Sequence, residues 1–253
     1  MYAEERHWAI LEQARKDGRV DVAALASRFD MTTETVRRDL TVLERRGVLR
    51  RVHGGAIPVE RLGFEPNVHA RDSVMTAEKN RIAKAALEHV PEEGAILLDA
   101  GTTVARLADV LPVDRELTVV THSPTSALAL SGRGNITLML VGGRLRGRTL
   151  AAVDDWALHA LSDIFVDVAF MATNGLSLER GLTTPDSAEA MVKRAAIAAA
   201  RRTVVLADRT KVGNDHFARF GDLADVDTLI TDDGLDEQVA EEIRRAGPRV
   251  EVV

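Results

Sequence analysis

Short apolar runs alternate with helical patterns from residue 76 to the end of the chain. The runs have the length of buried strands, and the segments between them show the apolar spacing of helices. Strands are predicted at Ala95–Asp99, Leu117–Thr121, Ile136–Val141, Val166–Ala172, Thr203–Ala207 and Val226–Thr231. Helices are predicted around Ile82, from Thr103, from Pro124, at Asp186–Arg201 and at Leu235–Arg245. Because strands joined by helices usually run parallel, the pattern predicts an α/β domain with a mostly parallel, doubly wound sheet.

The first 57 residues carry a different pattern, in which three short helices are followed by a hairpin. Apolar residues at helical spacing place Ile10 on a first helix and Leu25 on a second. A third helix is predicted over 33–46, and Gly47 stands where a helix carboxyl cap is expected. The stretch 48–57 alternates weakly and turns at a Gly-Gly pair, which indicates a small hairpin or wing.

Residues 58–75 separate these two patterns and have no steady apolar period. Pro58, Gly63 and Pro66 fall in this stretch, and such residues interrupt helices and strands. With 253 residues and 45% apolar composition, the chain is long enough for a small domain and a larger one. We predict a winged helix-turn-helix at 1–57, a linker at 58–75 and the α/β domain at 76–253.

Composition and hydropathy exclude several classes of protein. The chain has no cysteine, and therefore no disulfide, thiolate zinc site or cysteine nucleophile. No apolar run approaches the roughly 18 residues that cross a bilayer, and the charged start Glu4-Glu5-Arg6 lacks the apolar core of a signal peptide. The histidines show no metal-ligand spacing. We expect a soluble cytoplasmic protein without a membrane partner, a metal or a cofactor.

Positive charge is concentrated at one end of an acidic chain. Residues 1–62 carry 12 Lys and Arg against 10 Asp and Glu, whereas the whole chain has a net charge of −6. Six arginines lie between Arg37 and Arg51, against Asp39 and Glu44. Such a cluster is either a solvated helix face or a surface that attracts nucleic-acid phosphates, and charge alone favours neither.

The third predicted helix has the composition expected of a recognition helix, whose first turns enter the major groove with polar and basic side chains. Four side chains are predicted to reach base edges or phosphates: Thr33, Glu34, Thr35 and Arg38. Phosphate contacts are predicted for five further arginines: Arg37, Arg45, Arg46, Arg50 and Arg51. His53, at the predicted wing tip, either contacts the DNA backbone or minor groove or is a turn residue without contacts.

Together these residues resemble the amino-terminal signature of the DeoR family of bacterial regulators. The similarity runs through Ala24-Leu25-Ala26, Phe29, Thr35-Val36-Arg37-Arg38-Asp39-Leu40, Leu43-Glu44, Gly47 and Arg51-Val52-His53-Gly54-Gly55-Ala56. The resemblance implies a winged helix-turn-helix that binds double-stranded operator DNA. As is usual in the family, it also implies a homo-oligomer and a repressor of carbohydrate-metabolism genes. Apolar spacing alone predicts only a small helical domain.

The clearest binding chemistry of the larger domain lies where the predicted strand ending at Asp99 meets the next helix. Three residues, Gly101, Thr102 and Thr103, form the loop between them. Amides at a helix amino end carry partial positive charge, glycine permits close approach, and threonine hydroxyls add donors. The loop is therefore either a phosphate cradle or an ordinary helix cap.

Similar polar loops follow other predicted strands, and open α/β sheets bind ligands outside the carboxyl ends of their strands. The residues concerned are Thr121, His122, Ser123, Gly142, Gly143, Asn174, Gly175, Asp208 and Lys211. Ser123 before Pro124 is also a good helix cap, a role that needs no ligand. Glu189 and Lys193, four residues apart on a predicted helix, either form an exposed ion pair or project into the cleft, and spacing alone favours the exposed pair.

The resemblance to the DeoR family continues through Ile82-Ala83, Asp99-Ala100-Gly101-Thr102-Thr103, Val141-Gly142-Gly143, Val166-Asp167-Val168-Ala169-Phe170, Gly181-Leu182-Thr183-Thr184, Glu189 to Arg194 and Leu206 to Lys211. The family's carboxyl-terminal domain is similar in fold to ribose-5-phosphate isomerase and is implied to bind phosphorylated sugars. The resemblance implies a phosphate cradle at Gly101, Thr102 and Thr103. Its other implied effector contacts are Asp99, Asp186 and Glu189 to sugar hydroxyls, with Lys193 and Lys211 as cationic partners.

Two positions depart from the family pattern. His122 stands where the family more often has asparagine, and Ala152-Val153-Asp154 stands where a Val-Gly step is usual. A carboxylate at Asp154 near an anion site would repel phosphate unless it points away. We therefore expect an altered pocket.

The leading hypothesis is a DNA-binding transcription regulator whose operator binding is controlled by a phosphorylated sugar. The alternative from another class is a sugar-phosphate isomerase, because Asp, Glu and Lys surround the predicted cradle, but such an enzyme has no use for residues 1–55. A third possibility, an RNA-binding sensor, lacks aromatic residues for base stacking in the basic region.

Overall fold

The computed structural model of the chain describes residues 3–46, 48–58, 65 and 67–253. Contacts divide the chain into an amino-terminal unit ending at residue 64 and a larger unit of residues 65–253. The domain boundaries at 57/58 and 75/76 stay predictions. The helix cap predicted at Gly47 and the linker residues Gly63 and Pro66 lie outside the described residues.

Three helices and a three-stranded antiparallel sheet form the amino-terminal unit. Its elements are α1 (Ala3–Asp17), β1 (Val20–Asp21), α2 (Val22–Phe29), α3 (Thr33–Arg45), β2 (Leu49–Val52) and β3 (Gly55–Pro58). Strands β2 and β3 are the predicted wing. Strand β1 is too short to leave a period in the sequence, and it pairs with β3 through Val20 and Ala56. Ile10, Leu25 and Leu40 bring one buried side chain from each helix into the core.

Side-chain caps mark the amino ends of α2 and α3. Asp21 accepts a hydrogen bond from the amide of Ala23 at 2.8 Å, and Thr32 accepts one from the amide of Thr35 at 3.2 Å. Asp30 ends α2 with a φ of 51°, a left-handed conformation that aspartate adopts more readily than most residues. Each cap stabilises its helix by about 1 kcal/mol. The chain changes direction within residues 30–32, between the end of α2 and the start of α3.

A seven-stranded sheet is the centre of the larger unit. Its strands are β4 (Glu93–Leu98), β5 (Glu116–Thr121), β6 (Ile136–Leu140), β9 (Val166–Ala172), β12 (Ala200–Leu206), β14 (Thr228–Thr231) and β15 (Arg249–Val252). They lie in the order β15-β14-β12-β9-β4-β5-β6. Every neighbouring pair in this sheet is parallel, so the mostly parallel α/β sheet predicted from the alternation is confirmed.

Helices cover both faces of this sheet, as a doubly wound fold requires. Those of the larger unit are α4 (Val68–Asp72), α5 (Thr76–Ala85), α6 (Thr102–Val110), α7 (Pro124–Leu130), α8 (Asp155–Ser162), α9 (Ser187–Ala198) and α10 (Glu237–Arg245). Apolar residues of α5, α6 and α7 pack with Ile96 and Leu98 on one face. Those of α8, α9 and α10 pack with Leu97 on the other face. Successive residues of β4 thus point to opposite faces, and both faces are buried.

The larger unit also contains two small antiparallel sheets that were not predicted. One consists of β10 (Gly175–Ser177), β11 (Gly181–Thr184) and β13 (Ala218–Gly221), and the other of β7 (Arg144–Leu145) and β8 (Ala152–Val153). Strands of two to four residues are too short to show a period of two. Helix α9 also ends earlier than predicted, because β12 begins to pair with β9 at Ala200.

Part of the segment predicted as a linker is folded onto the larger unit. Helix α4 occupies residues 68–72, and Glu65 has only 1% of its surface exposed. The amide of Val68 donates to the carbonyl of Arg148 at 2.8 Å, and Lys79 Nζ donates to the carbonyl of Arg71 at 2.5 Å. None of the described helices is both long enough and apolar enough to span a membrane.

Candidate effector cleft and DNA-binding surface

The side chains predicted to contact DNA lie on the solvent side of α3 and on the wing. All are exposed except Thr35, which is half-buried: Thr33, Glu34, Arg37, Arg38, Arg45, Arg46, Arg50, Arg51 and His53. The opposite side of α3 is buried through Val36, Leu40 and Leu43. This division leaves a polar and basic face, as a helix that enters a DNA groove requires.

Asp39 lies on the buried side of α3 and anchors that helix to α1. Its carboxylate accepts a hydrogen bond from Arg6 Nε at 2.5 Å and contacts His7 Nε2 at 2.9 Å. Burial by itself would raise the pKa of Asp39, but hydrogen bonds from Arg6 and His7 outweigh burial and lower the pKa. Within the family signature, Asp39 is therefore a positioning residue.

Three of the arginines predicted to bind phosphate also contact neighbouring side chains. Arg37 lies 3.8 Å from Glu34 on the exposed side of α3. Arg46 forms a two-point pair with Glu4, with nitrogen–oxygen distances of 2.7 and 3.1 Å, and so joins α3 to α1. Arg51 Nη1 donates to Thr41 Oγ1 at 3.2 Å, and its amide donates to Glu44 Oε1 at 2.9 Å. These contacts tie the wing to α3.

A cleft of about 450 Å³ opens at the amino end of α6, outside the carboxyl end of β4. Its lining residues are Val68, Asp72, Thr76, Asn80, Gly101, Thr102, Ala105, Arg106, Asp109, Ser123, Thr125, Thr149 and Leu150. No described side chain caps the amino end of α6, which is also true of α5 and α8, whereas α2, α3, α7, α9 and α10 are capped. The first amides of α6 therefore remain for another acceptor.

The loop predicted to cradle phosphate divides between the cleft and the interior. Gly101 and Thr102 line the cleft, whereas Thr103 is buried behind them. A Cβ at Gly101 would lie 2.6 Å from the Cβ of Ala172, closer than non-bonded carbon atoms approach. Glycine is thus required here by close packing against β9.

Asp99 is the centre of a buried polar cluster beneath the cleft, with 0% of its surface exposed. Its carboxylate contacts Lys193 Nζ, lies 2.8 Å from His122 Nε2 and accepts a 2.8 Å hydrogen bond from the amide of Ala172. Burial alone would raise the pKa of Asp99, but the charge of Lys193 and the hydrogen bond from His122 lower it to about 2. Both carboxylate oxygens of Asp99 therefore have polar partners within the protein.

His122 bridges two neighbouring segments at this cluster. Its Nδ1 lies 3.0 Å from the carbonyl oxygen of Ala152, on the side opposite to Asp99. Thr121 supports the same turn by donating to the carbonyl of Leu98 at 2.7 Å, and Ser123 caps α7 through the amide of Ser126. Of these three predicted effector residues, Ser123 lines the cleft.

Glu189 and Lys193 do not form an exposed pair; each has only 1% of its surface exposed, so the interpretation favoured by spacing alone was wrong. Lys193 neutralises Asp99 and donates to the carbonyl of Ala172 at 2.9 Å. Glu189 contacts Arg146 and accepts a 3.1 Å hydrogen bond from Thr149 Oγ1. The pair points inward because α9 packs against the sheet.

Arg146 is a residue that the sequence analysis missed, and three carboxylates surround it. Besides Glu189, it contacts Asp186 at 3.2 Å and Glu65 at 2.9 Å. Asn174 Nδ2 also reaches Glu65, at 3.4 Å. The basic run Arg144-Leu145-Arg146-Gly147-Arg148 was a signal in the sequence, but Glu65 offered none because it lies in a segment without a period.

Other predicted effector residues lie elsewhere in the larger unit. Gly143, Asp154 and Arg144 line a second cavity of about 410 Å³, where Arg144 pairs with Asp154 at 2.6 Å. Asp154 therefore does not face the cleft at α6, and the repulsion expected from it does not arise there. The remaining predicted residues do not line the α6 cleft either: Gly142, Asn174, Gly175, Asp186, Asp208 and Lys211.

Lys79 and Asp208 are two further buried charged residues that influence each other's pKa. The sequence analysis did not predict that they lie near each other. Asp208 lies 4.0 Å from Lys211, and its pKa is lowered because Lys211 and Thr210 outweigh the effect of burial. Burial lowers the pKa of Lys79 to about 7, since desolvation penalises its charged form. No three His, Asp or Glu side chains converge on a metal position anywhere in the described part of the chain.

A winged helix-turn-helix followed by an α/β unit with an open cleft defines the class of DNA-binding regulators that carry a separate sensor domain. Family models for the DeoR-like helix-turn-helix domain and the DeoR C terminal sensor domain match residues 6–61 and 74–233. The chain therefore belongs to the DeoR family, as the resemblance predicted.

Relatives are similar over nearly the whole length. The transcriptional regulator GlpR of Haloferax volcanii is 38% identical, over 99% of this chain and 98% of that protein. The transcriptional repressor GlcR of Bacillus subtilis is 33% identical, over 92% and 89% of the two chains. Among solved structures, ribose 5-phosphate isomerase A from Methanocaldococcus jannaschii is similar over 55% of each chain, at 18% identity with a TM-score of 0.41. The family and these relatives make the chain a transcriptional regulator and not an isomerase.

Proposed function

We propose that the chain is a cytoplasmic repressor of carbohydrate-metabolism genes whose operator binding is controlled by a phosphorylated sugar. The observation that carries the proposal is the uncapped amino end of α6 in the α6 cleft. Backbone amides there favour an anion, and Gly101 and Thr102 supply close approach and a hydroxyl donor. Two relatives are named as repressors, a putative aga operon transcriptional repressor and GlcR. Their names support repression over activation.

The predicted sugar-binding residues divide between direct and indirect roles. Thr102 and Ser123 line the cleft, and Asp186 keeps 30% of its side chain exposed beside Arg146. Asp99, Glu189 and Lys193 lie deeper and hold one another in place. We assign phosphate binding to the α6 amides and Thr102. We assign to the buried residues the role of holding the loop at Gly101 and Thr102 in place.

A thermal-shift screen tests the proposal on the full chain. Glucose 6-phosphate, fructose 1-phosphate and ribose 5-phosphate are the probes, and inorganic phosphate is the control for a bare anion. We expect at least one sugar phosphate to raise the unfolding temperature and Thr102→Ala to reduce that rise. Thr137→Ala, an exposed position on β6, is the matched control. A rise that Thr102→Ala leaves unchanged would show that the phosphate site is misplaced.

The DNA partner is tested separately, with the chain's own promoter region as operator. Electrophoretic mobility shift at low salt should show binding, and a probe from the screen should alter it. We also propose a homo-oligomer, supported by exposed aromatic side chains of the larger unit such as Trp156 and Phe217. Sedimentation velocity measures this, and a monomer at all concentrations contradicts it.

A further inference from the structure

The segment that follows the DNA-binding unit in sequence carries two carboxylates that pair with arginines of the larger unit, one of them at the α6 cleft. We call Glu65 and residues 67–72 the connector. Near its end, Asp72 lies 2.5 Å from Arg106 Nη1. At its start, Glu65 lies 2.9 Å from Arg146 Nη2. Each acid of the connector thus neutralises an arginine of the larger unit, and one of these arginines lines the cleft.

Arg106 is placed where a bound phosphate would need a cation. It stands one helical turn after Thr102, and its Nη1 donates to the carbonyl of Thr102 at 2.9 Å. Both residues line the cleft, as does Asp72. Arg106 also holds the connector backbone, because its Nη2 donates to the carbonyl of Asp72 at 3.1 Å. The guanidinium that holds the connector therefore belongs to a residue that lines the cleft in which phosphate is predicted to bind.

The two ends of the connector differ in how firmly they are held. Glu65 is buried, its carbonyl accepts from Arg148 Nη1 at 2.6 Å, and its carboxylate also reaches Asn174. Asp72 has 56% of its side chain exposed and makes its ion pair at the rim of the cleft. Displacement of Asp72 into water therefore costs little, whereas displacement of Glu65 would take one of three carboxylates away from the largely buried Arg146.

We propose that the phosphate of an effector competes with Asp72 for Arg106, so that occupancy of the cleft changes how the connector is held. The inference rests on the proposed sugar-phosphate function. A phosphate carries up to two charges and bonds a guanidinium at two points, so it outcompetes a single exposed carboxylate. A ligand shifts such an equilibrium only through its different affinity for the two states, and the Asp72–Arg106 pair supplies that difference.

The experiment compares Asp72→Asn with the wild type in ligand binding and in operator binding. The probe is the sugar phosphate from the screen above with the largest thermal shift, titrated calorimetrically into the full chain. We expect the variant to bind it about threefold to fivefold more tightly, because an exposed competing carboxylate is gone. Without sugar, its operator affinity should shift in the same direction that the probe shifts that of the wild type.

Two further variants make the comparison specific. Asp72→Glu keeps the charge and should restore wild-type behaviour. Asp114→Asn removes an exposed carboxylate from the loop before β5, at the opposite end of the sheet, and should leave both affinities unchanged. Thermal unfolding without ligand verifies that each variant is folded.

The outcomes separate this inference from the proposed function. If no sugar phosphate binds the wild type, the proposed function fails and the inference fails with it. If the wild type binds a probe but Asp72→Asn matches it in probe affinity and in operator affinity, competition at Arg106 is refuted while the sensor function stands.

Discussion

Asp99 is the residue on which the buried contacts beneath the cleft converge. Asp99→Asn should lower the free energy of unfolding of the larger unit by about 3–5 kcal/mol, because Lys193 would stay buried without its counter-ion. Denaturant unfolding followed by circular dichroism measures this. Asp233→Asn is the control, since it breaks an exposed pair with Arg81 that contributes at most about 1 kcal/mol.

The same residue gives the larger unit an acid dependence. The pKa of Asp99 is about 2 in the folded chain and about 4 in an unfolded one, so its stabilisation is present above pH ~4 and is lost as the pH falls towards 2. An Asp99→Asn variant with wild-type stability at neutral pH would contradict the counter-ion role.

Lys79 should make stability rise with pH as well, but in the neutral to alkaline range. Its pKa is about 7 when folded and about 10.5 when unfolded, so the unfolded chain binds more protons in this range and stability rises with pH. Between pH 7 and 9 the gain should be about 2 kcal/mol in the free energy of unfolding. Lys79→Met should flatten this dependence in denaturant unfolding. The exposed Lys84→Met should keep it, and an unchanged slope in Lys79→Met would refute the assignment.

Helix α3 has a buried side that anchors it and an exposed side that we predict to contact DNA. Asp39→Asn should weaken the anchor to Arg6 and His7, lower the melting temperature of the amino-terminal unit and reduce operator binding as a consequence. Arg38→Ala, on the exposed side, should reduce operator binding without changing the melting temperature. Calorimetry and a fluorescence anisotropy assay together distinguish the two effects. Equal melting temperatures for both variants would contradict the anchoring role.

The amino end of α6 makes a sharper test of the phosphate site. Gly101→Ala would place a Cβ 2.6 Å from that of Ala172, so the loop must shift and the cradle amides must move with it. We expect the sugar-phosphate thermal shift to fall to less than about half of the wild-type value. Gly132→Ala, where an added Cβ meets no atom within 4 Å, should keep the full shift. A full shift in Gly101→Ala would place the phosphate elsewhere.

Elements were predictable where an apolar period was long enough to be seen. Six of the seven parallel strands were predicted within a few residues, because their apolar runs are long enough to be seen. The edge strand β15 and helix α8 were not predicted. The short antiparallel strands β7, β8, β10, β11 and β13 were missed because their pairing partners are distant in sequence or their runs are too short.

For the whole molecule, the division of charge should appear in the salt dependence of operator binding. Residues 1–62 carry more basic than acidic side chains, whereas the rest of the chain is acidic. Each phosphate contact contributes roughly −0.9 to the slope of log affinity against log salt, so Arg50→Gln should reduce the slope by about one. Anisotropy titrations at several salt concentrations measure it. Arg201→Gln, exposed on the larger unit, should leave the slope unchanged, and equal slopes for both variants would remove Arg50 from the interface.

By itself the sequence determined the two-part architecture, the parallel sheet and the family, because local periodicity and ordered motifs carry that information along the chain. It also located Gly101 and Thr102 at a strand–helix junction, where anion binding is a local property of backbone amides. Only the tertiary structure decided which charges meet. Glu65 and Arg146 are 81 residues apart, and Asp99 and Lys193 are 94 apart. Spacing cannot reveal such pairs, because burial and partnership of a charge depend on packing between distant segments.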